Sequence, residues 1–244
     1  MEYFFLNHST DLKVIGKFPQ LEKMFDGYNA KSRFEAWGLF SENRDTPMPS
    51  VSGFELKYHS KLTDWISAGY FGILNSILIS EKFYNLLQTF NCMEYISVDA
   101  EVRHRGKSYP YKFLYLPNES NNVINFEKSR FYIGQSGGGG WLSDIRIESY
   151  QEYLQKNEQL KEYNREALKT DGLLQDIYLR ELHINNTIID KDFFKLTIMV
   201  ALIISQPLKE AMEELKISGV AISPVEGYKR QVWDYSVSPP REVI

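Results

Sequence analysis

The residues of this chain that could do chemistry are four histidines, one cysteine and a glycine-rich loop. Glu181 and His183 share one face if residues 179–184 form a strand, and one further ligand would complete a metal site there. No histidine belongs to an H-E-x-x-H motif, and no group of Cys and His has the spacing of metal ligands. We therefore expect His183 to be a surface or hydrogen-bonded side chain, and we expect no catalytic residues, metal or cofactor.

The cysteine, Cys92, follows Asn91 at the end of a predicted helix. A nucleophilic cysteine usually lies at a helix N-terminus or beside a basic group, so we expect an unreactive, partly buried thiol. One cysteine cannot form an internal disulfide, which is typical of a reducing compartment. The N-terminus lacks the features of a signal peptide, and the apolar stretch 196–205 is about half of a membrane span. The sequence predicts a cytoplasmic protein with no membrane contact.

The segment 134–140 contains four successive glycines and leads into Trp141. It lacks the Lys-Ser/Thr pair of a phosphate-binding P-loop, and its glycines lose much backbone entropy when they are ordered. We expect a mobile surface loop that carries an aromatic ring and a carboxylate towards a partner, followed by the head of a helix predicted over 148–169. The predicted partner-binding residues are Trp141, Asp144, Tyr150, Glu152 and Tyr153.

A basic cluster at 103–107 is flanked by Tyr109 and Tyr111. Basic and aromatic side chains together are typical of single-stranded nucleic-acid binding. The chain, however, has 28 Lys and Arg against 32 Asp and Glu, a formal net charge of -4, and no other basic cluster. Nucleic-acid-binding domains usually have a basic excess. We interpret the cluster as a solvated turn and expect no nucleic-acid partner.

The elements that would position these residues are short strands and a few helices. The chain is 43% hydrophobic and 14% aromatic, which is enough for a sizeable core. We expect an α+β fold, with a mixed or mainly antiparallel sheet and packed helices, as one domain over 1–244. Two related sub-halves, 1–133 and 141–244, would be joined by the glycine loop. Hydrophobic patterns predict strands at 3–6, 54–58, 126–133, 179–184 and 187–189, a buried strand or a helix-to-strand passage over 196–204, and a β-hairpin over 95–116.

Two segments, 77–95 and 202–220, are alike at a constant offset in sequence. Each predicts a short apolar strand, a serine, a helix of about three turns and a second strand. Ser80 and Ser205 are suited to cap these helices, because a hydroxyl can accept a hydrogen bond from a backbone N–H of the first turn. Pro207 fits the first turn of the second helix. The likeness predicts a pair of related structural units.

Two phrases of the sequence carry a resemblance to a known family. The early phrase is KLTDWI at 61–66 with ISEKF at 79–83, and the late phrase is ISQPLKEA at 204–211 with ISGVAISPV at 217–225. In order and spacing they are similar to phrases of bacterial immunity proteins of polymorphic toxin systems. The resemblance spans residues 54–226 and extends to the opening strand, but the glycine loop and the helix after it match nothing in that family.

The resemblance implies a cytoplasmic protein, not an enzyme, that binds and neutralises a cognate protein toxin. Aromatic side chains dominate interface hot spots, and an acidic chain suits a toxin with a basic active-site cleft. Two alternatives stay open: an enzyme of unrecognised type that uses Glu181 and His183, and a structural module that assembles with itself. The sequence determines neither the toxin nor the oligomeric state.

Overall fold

The computed structural model describes residues 2–24, 53–67, 76–116, 120–137, 140–170, 172–185, 189–235 and 238–243. Within these ranges there are four α-helices and one 3-10 helix, and fifteen strands form four sheets. The predicted α+β fold is therefore confirmed, with mainly antiparallel pairing. Of the strand pairs described, β3 and β6 are parallel. The helices are α1 (Leu12–Ile15), α2 (Glu81–Leu87), α3 (Tyr150–Lys169) and α4 (Gln206–Glu214), and the 3-10 helix covers Asn121–Val123.

The strands are distributed over sheets of six, four, three and two strands, in the orders β2-β3-β6-β7-β5-β4, β11-β12-β1-β13, β10-β8-β9 and β14-β15. The β6–β7 hairpin is the one that the sequence predicts. The strand bounds are β1 (Tyr3–His8), β2 (Leu21–Met24), β3 (Gly53–Leu56), β4 (Trp65–Ile66), β5 (Ser76–Ser80), β6 (Ile96–His104), β7 (Lys107–Tyr115), β8 (Arg130–Gln135), β9 (Trp141–Ile145), β10 (Gln175–Glu181), β11 (Phe193–Leu196), β12 (Ala201–Ser205), β13 (Val220–Pro224), β14 (Trp233–Asp234) and β15 (Arg241–Glu242).

Several predicted strands have different limits in the structure. β8 begins only at Arg130, because Ser129 donates its backbone N–H to Asn125 O at 2.9 Å and so closes a turn before the strand. The apolar stretch 196–204 is divided between β11 and β12, with a turn between them in which Val200 N–H bonds to Thr197 O at 3.1 Å. In the predicted strand 187–189, residues 187 and 188 lie outside the described residues.

The two related units share one strand order. The first contains β4-β5-β7-β6 and the second β11-β12-β1-β13. Ser80 and Ser205 end the equivalent strands β5 and β12, and their hydroxyls accept the backbone N–H of Phe83 at 3.2 Å and of Leu208 at 3.4 Å. Both serines are therefore helix N-caps, as expected. α2 has 7 residues and α4 has 9, shorter than the predicted three turns.

The registers of the strands are also equal in the two units. Ile79 lies opposite Trp65 in β4 and Lys112 in β7. Its counterpart 125 positions later, Ile204, lies opposite Phe193 in β11 and Phe4 in β1. β1 therefore takes the place of β7, although β1 begins the chain and β7 follows α2. The second unit is a circularly permuted copy of the first in its strand order.

The same equivalence holds for the outer strand of each unit. Phe113 in β7 lies opposite Val98, and Phe5 in β1 lies opposite Ser223, which is 125 positions after Val98. A cation also lies over an aromatic ring at equivalent places: Lys112 Nζ is 5.2 Å from the Tyr84 ring, and Lys209 Nζ is 5.2 Å from the Phe4 ring. Lys112 and Phe4 occupy equivalent strand positions. The cation therefore lies on the strand and the ring on the helix in the first unit, whereas the ring lies on the strand and the cation on the helix in the second.

One core cluster contains buried side chains from both units. Phe83 and Leu87 of α2 and Leu208 and Met212 of α4 are at most 1% exposed and belong to it. Burying side chains of this size contributes about 2 kcal/mol each. A second cluster lies against the six-stranded sheet and includes Phe54 and Phe113. Strand pairing also crosses the glycine loop, because β8 and β9 on its two sides pair with each other.

Candidate functional site

Asp64, in the early phrase of the resemblance, is the centre of a hydrogen-bond network. Its Oδ1 accepts the hydroxyl of Ser80 at 2.7 Å. Its Oδ2 accepts the backbone N–H and the hydroxyl of Ser218, both at 2.8 Å, and forms an ion pair with Lys82 at 2.9 Å. Ser218 is 154 residues from Asp64 in the sequence and belongs to the late phrase. One carboxylate therefore joins the two phrases.

The environment of Asp64 keeps this carboxylate charged. Burial by itself would raise its pKa, but the hydrogen bonds from Lys82, Ser80 and Ser218 outweigh burial and lower the pKa below the ordinary value of 3.8. A buried carboxylate with all of these donors is well satisfied, and it holds its neighbours in place. The geometry assigns Asp64 a positioning role between two elements.

The second unit repeats this arrangement around Asp192. The hydroxyl of Ser205 donates to Asp192 Oδ1 at 2.6 Å, and its backbone N–H donates to Asp192 O at 2.8 Å. Asp192 Oδ2 accepts the backbone N–H of Asn91 at 3.1 Å. Asn91 follows α2, just as Ser218 follows α4. Each aspartate thus bonds the serine cap of its own unit and the segment after the helix of the other unit.

Two of the predicted partner-binding residues, Trp141 and Asp144, lie in strand β9 and not on a mobile loop, which corrects the prediction of their position. The antiparallel pairing of β9 with β8 fixes both residues. The indole N–H of Trp141 donates to Asp144 Oδ1 at 3.2 Å, and Asp144 Oδ1 is also 3.8 Å from Arg180 Nη1. Trp141 is half-buried, while Asp144 is exposed.

The three predicted residues at the head of α3 serve the helix and the core. The rings of Tyr150 and Tyr153 are half-buried, and their centroids lie 6.1 and 6.2 Å from that of the buried Phe126. Glu152 accepts the backbone N–H of Glu148 at 2.7 Å and forms an ion pair with Lys156 at 3.3 Å. The expectation that these residues are an exposed hot spot is wrong for the tyrosines, because the apolar stripe of α3 turns them inward.

An open cleft of about 840 Å³ lies between the sheet of β8, β9 and β10 and residues 229–231 and 242–243. Its floor includes the buried rings of Phe126 and Phe131. Asp144 lines this cleft, and Tyr150 and Tyr153 support it from behind through Phe126. Side chains of both charges surround the floor: Arg130, Arg146, Arg180, Lys229, Arg230, Glu127, Asp144, Glu181 and Glu242.

Glu181 and His183, the candidate catalytic pair, lie close together. His183 Nε2 is 3.5 Å from Glu181 Oε1, and Lys229 Nζ is 3.5 Å from the same oxygen. In the part of the chain that the structure describes, no group of three or more His, Cys, Asp or Glu side chains could hold a metal ion. The third charged group beside Glu181 is thus the cation of Lys229, which is not a metal ligand when protonated.

Cys92 is half-buried, and its thiol donates to Leu87 O at 3.2 Å. Burial, and secondarily the charge of Asp192, raise the pKa of this thiol to about 12. The thiol is therefore protonated at neutral pH, whereas the thiolate is the nucleophilic form. This geometry agrees with the expectation of an unreactive cysteine.

The basic hairpin tip does not have the aromatic flanks that the sequence suggests. The side chain of Tyr111 is buried, and its hydroxyl donates to Thr63 O at 2.7 Å. Arg103 is engaged by Glu101 at 2.8 Å, while the guanidinium of Arg105 lies over the ring of Tyr58 at 5.5 Å. One ring of the pair, that of Tyr111, thus belongs to the interior and is not available to stack on a base.

Sequence reasoning missed Asp192 and the contact of Asp64 with Ser218. A signal for the first was present, because Asp64-Trp65 and Asp192-Phe193 both place an aspartate before a large aromatic residue at the start of a unit. The second is a contact between distant segments, which no local pattern encodes.

Comparison with known proteins gives no relative for this chain: no protein-family model matches it, and a search of curated proteins found no match. None of the helices in the described ranges has the length and apolar character that a membrane span requires.

Proposed function

We propose that this chain is an immunity protein, which neutralises a cognate bacterial toxin in the cytoplasm by direct stoichiometric binding. The observation that carries the proposal is the Asp64 network. Strand, serine and helix phrases are common in unrelated proteins, so the resemblance gains support if the two phrases belong to one structural arrangement. Here the early and the late phrase share one carboxylate, through Ser80, Lys82 and Ser218. Their spacing in the sequence therefore has a physical basis, which supports the resemblance.

The cleft beside β9 is the surface that we propose for the toxin. Protein interfaces combine a buried apolar centre with a polar rim. The cleft offers the rings of Phe126 and Phe131 as such a centre, and Asp144 and Arg146 at its rim. Trp141, bonded to Asp144, lies beside the rim. Tyr150 and Tyr153 act indirectly, since they fix Phe126.

The test is capture of the partner from the native host with a tagged chain, followed by mass spectrometry of what elutes. We expect one protein in equimolar amount, whose C-terminal domain kills cells when it is expressed alone. Elution of the chain without a protein, but with a retained metal or small molecule, would contradict the proposal and favour an enzyme with Glu181 and His183.

The captured partner also tests the cleft. Asp144→Arg and Trp141→Ala should each weaken binding by about tenfold or more, because the first reverses a charge at the rim of the cleft and the second removes a large aromatic side chain beside that rim. Glu158→Arg, on the exposed side of α3, is the matched control and should bind as the wild type does. Unchanged binding by both cleft variants would place the toxin elsewhere on the molecule.

A further inference from the structure

The surface around α1 exposes apolar side chains from two segments that are far apart in sequence. α1 and the residues after it contribute Leu12, Val14 and Phe18, and the turn before β4 contributes Tyr58 and Leu62. These five side chains are between 36% and 70% exposed. They define what we call the α1 face. A patch of this kind on a protein surface commonly marks an interaction site.

Backbone contacts hold the two segments of the α1 face together. Lys61 donates its backbone N–H to Ile15 O at 2.8 Å and its Nζ to Lys13 O at 2.6 Å. Gly16 has φ +78, and a Cβ at this position would overlap the carbonyl oxygen of His59. Only glycine allows this close approach at a positive φ without strain. The two segments that carry the exposed side chains are therefore fixed side by side.

Cations without an ion-pair partner surround these apolar side chains. Across the described ranges, most Lys and Arg side chains contact a carboxylate. The carboxylate of Asp11 caps α1 by accepting the Lys13 backbone N–H at 2.8 Å. The cations of the α1 face that form no ion pair with a described residue are Lys13, Lys17, Lys57, Lys61 and Arg105. A chain with a formal net charge of -4 thus has a locally basic surface here.

We propose that the α1 face docks an acidic segment of a partner protein that also carries apolar side chains. The acidic groups of the segment would pair with the lysines that form no ion pair. Its apolar side chains would pack against Leu12, Val14 and Leu62. Nucleic acid fits this surface less well, because one ring face of Phe18 is stacked on His8 at 5.6 Å and one ring face of Tyr58 is occupied by Arg105. Base stacking needs free ring faces. The proposal is independent of the toxin cleft, which other residues form.

The probe is a fluorescently labelled peptide of about 16 residues in which Glu is interspersed with Leu and Phe. Binding is measured by fluorescence anisotropy with the full chain. We expect saturable binding that weakens as the ionic strength rises from about 0.05 M to about 0.3 M. A peptide with Ser in place of Leu and Phe, and one with Gln in place of Glu, should both bind more weakly. Failure of the first peptide to bind overturns the proposal.

Two sets of variants locate the binding site. The combination of Lys13→Glu, Lys17→Glu and Lys61→Glu should weaken peptide binding by about tenfold or more. The pair Leu12→Ser and Leu62→Ser should also weaken it, at constant charge. The matched control combines Lys128→Glu, Lys161→Glu and Lys216→Glu, which are exposed cations elsewhere on the molecule, and it should bind as the wild type does.

The outcomes that overturn the proposal are specific. Equal loss of binding in the face variant and in the control variant would indicate only nonspecific attraction. Tighter binding of single-stranded oligo(dT), or of vesicles with an anionic lipid, than of the acidic apolar peptide would assign the face to nucleic acid or to a membrane. Circular dichroism melting of each variant shows that the comparison is made between folded proteins.

Discussion

At the residue scale, Asp64 links local capping with long-range structure. The same carboxylate supports the serine cap of α2 and holds the segment after α4. Four donor groups converge on it, so removing its charge leaves several of them without a proper acceptor. The sequence placed Asp64 in a family phrase, but the identity of its distant donor depends on how the chain folds back, which the phrase does not contain.

Asp64→Asn should destabilise the protein by about 2 kcal/mol, because it presents an amide group to the donors of Ser218; the lost ion pair with Lys82, whose side chain is 45% exposed, adds little. Urea denaturation measures the change. The matched control is Asp99→Asn, in the exposed pair of Asp99 with Lys112, where solvent screens the charges and the free energy of unfolding should not change measurably. Equal effects of the two substitutions would contradict the role assigned to Asp64.

The stability conferred by Asp64 should depend on pH in a defined direction. Its pKa is lowered in the folded state from 3.8, so its contribution is fully present above pH 3.8 and is lost as the pH falls through the folded-state pKa. The difference in unfolding free energy between wild type and Asp64→Asn should therefore be constant near neutral pH and shrink below pH 3.8. A difference that grows on acidification would exclude this mechanism.

The candidate site residues show what local patterns predict and what they miss. Glu152 is predicted to contact a partner, and in the structure it is a half-buried side chain that accepts the backbone N–H of Glu148 ahead of α3. Tyr150 and Tyr153 were chosen as interface aromatics, but their apolar stripe turns them onto Phe126. The sequence pattern of an aromatic side chain near a helix start is the same whether the side chain faces the core or a partner. Only the packing in the structure distinguishes a core position from an interface position.

At the element scale, the serine caps are the feature that the sequence predicts best. A cap depends on residues within one turn, and Ser80 and Ser205 cap their helices as expected. The bounds of β11 and β12 differ most from the prediction, because the turn at 197–200 interrupts an apolar run without a glycine or proline.

Ser80→Ala and Ser205→Ala should each cost about 2 kcal/mol of stability, since each removes a helix cap and a donor to a partly buried aspartate. Ser149→Ala, which removes only the cap of α3, is the matched control and should cost about 1 kcal/mol or less. Chemical denaturation of the three variants makes the comparison. A smaller cost for Ser80 and Ser205 than for Ser149 would contradict the shared network of the two units.

At the scale of the whole molecule, the two units are joined by reciprocal contacts and by one core. Asp64 reaches Ser218, and Asp192 reaches Asn91. β1 completes the second unit from the start of the chain. The sequence revealed the likeness between 77–95 and 202–220, but not the permuted position of β1, because strand pairing over such a separation is decided by the assembled sheet.

These contacts predict cooperative unfolding of the two units. Tryptophan fluorescence and far-ultraviolet circular dichroism should give coincident urea transitions, as two-state proteins do. Two separated transitions would show that the units are independent domains and that the reciprocal aspartates contribute little between them.

The central claim is tested most directly by the survival of cells that express the toxic domain of the captured partner while expression of this chain is titrated. We predict that cells die when the toxin is expressed without the chain. We predict that they survive once the chain is equimolar with the toxin, and that the two proteins form a complex whose mass is the sum of their masses. Killing that persists at a molar excess of the chain, or survival without such a complex, would contradict neutralisation by stoichiometric binding.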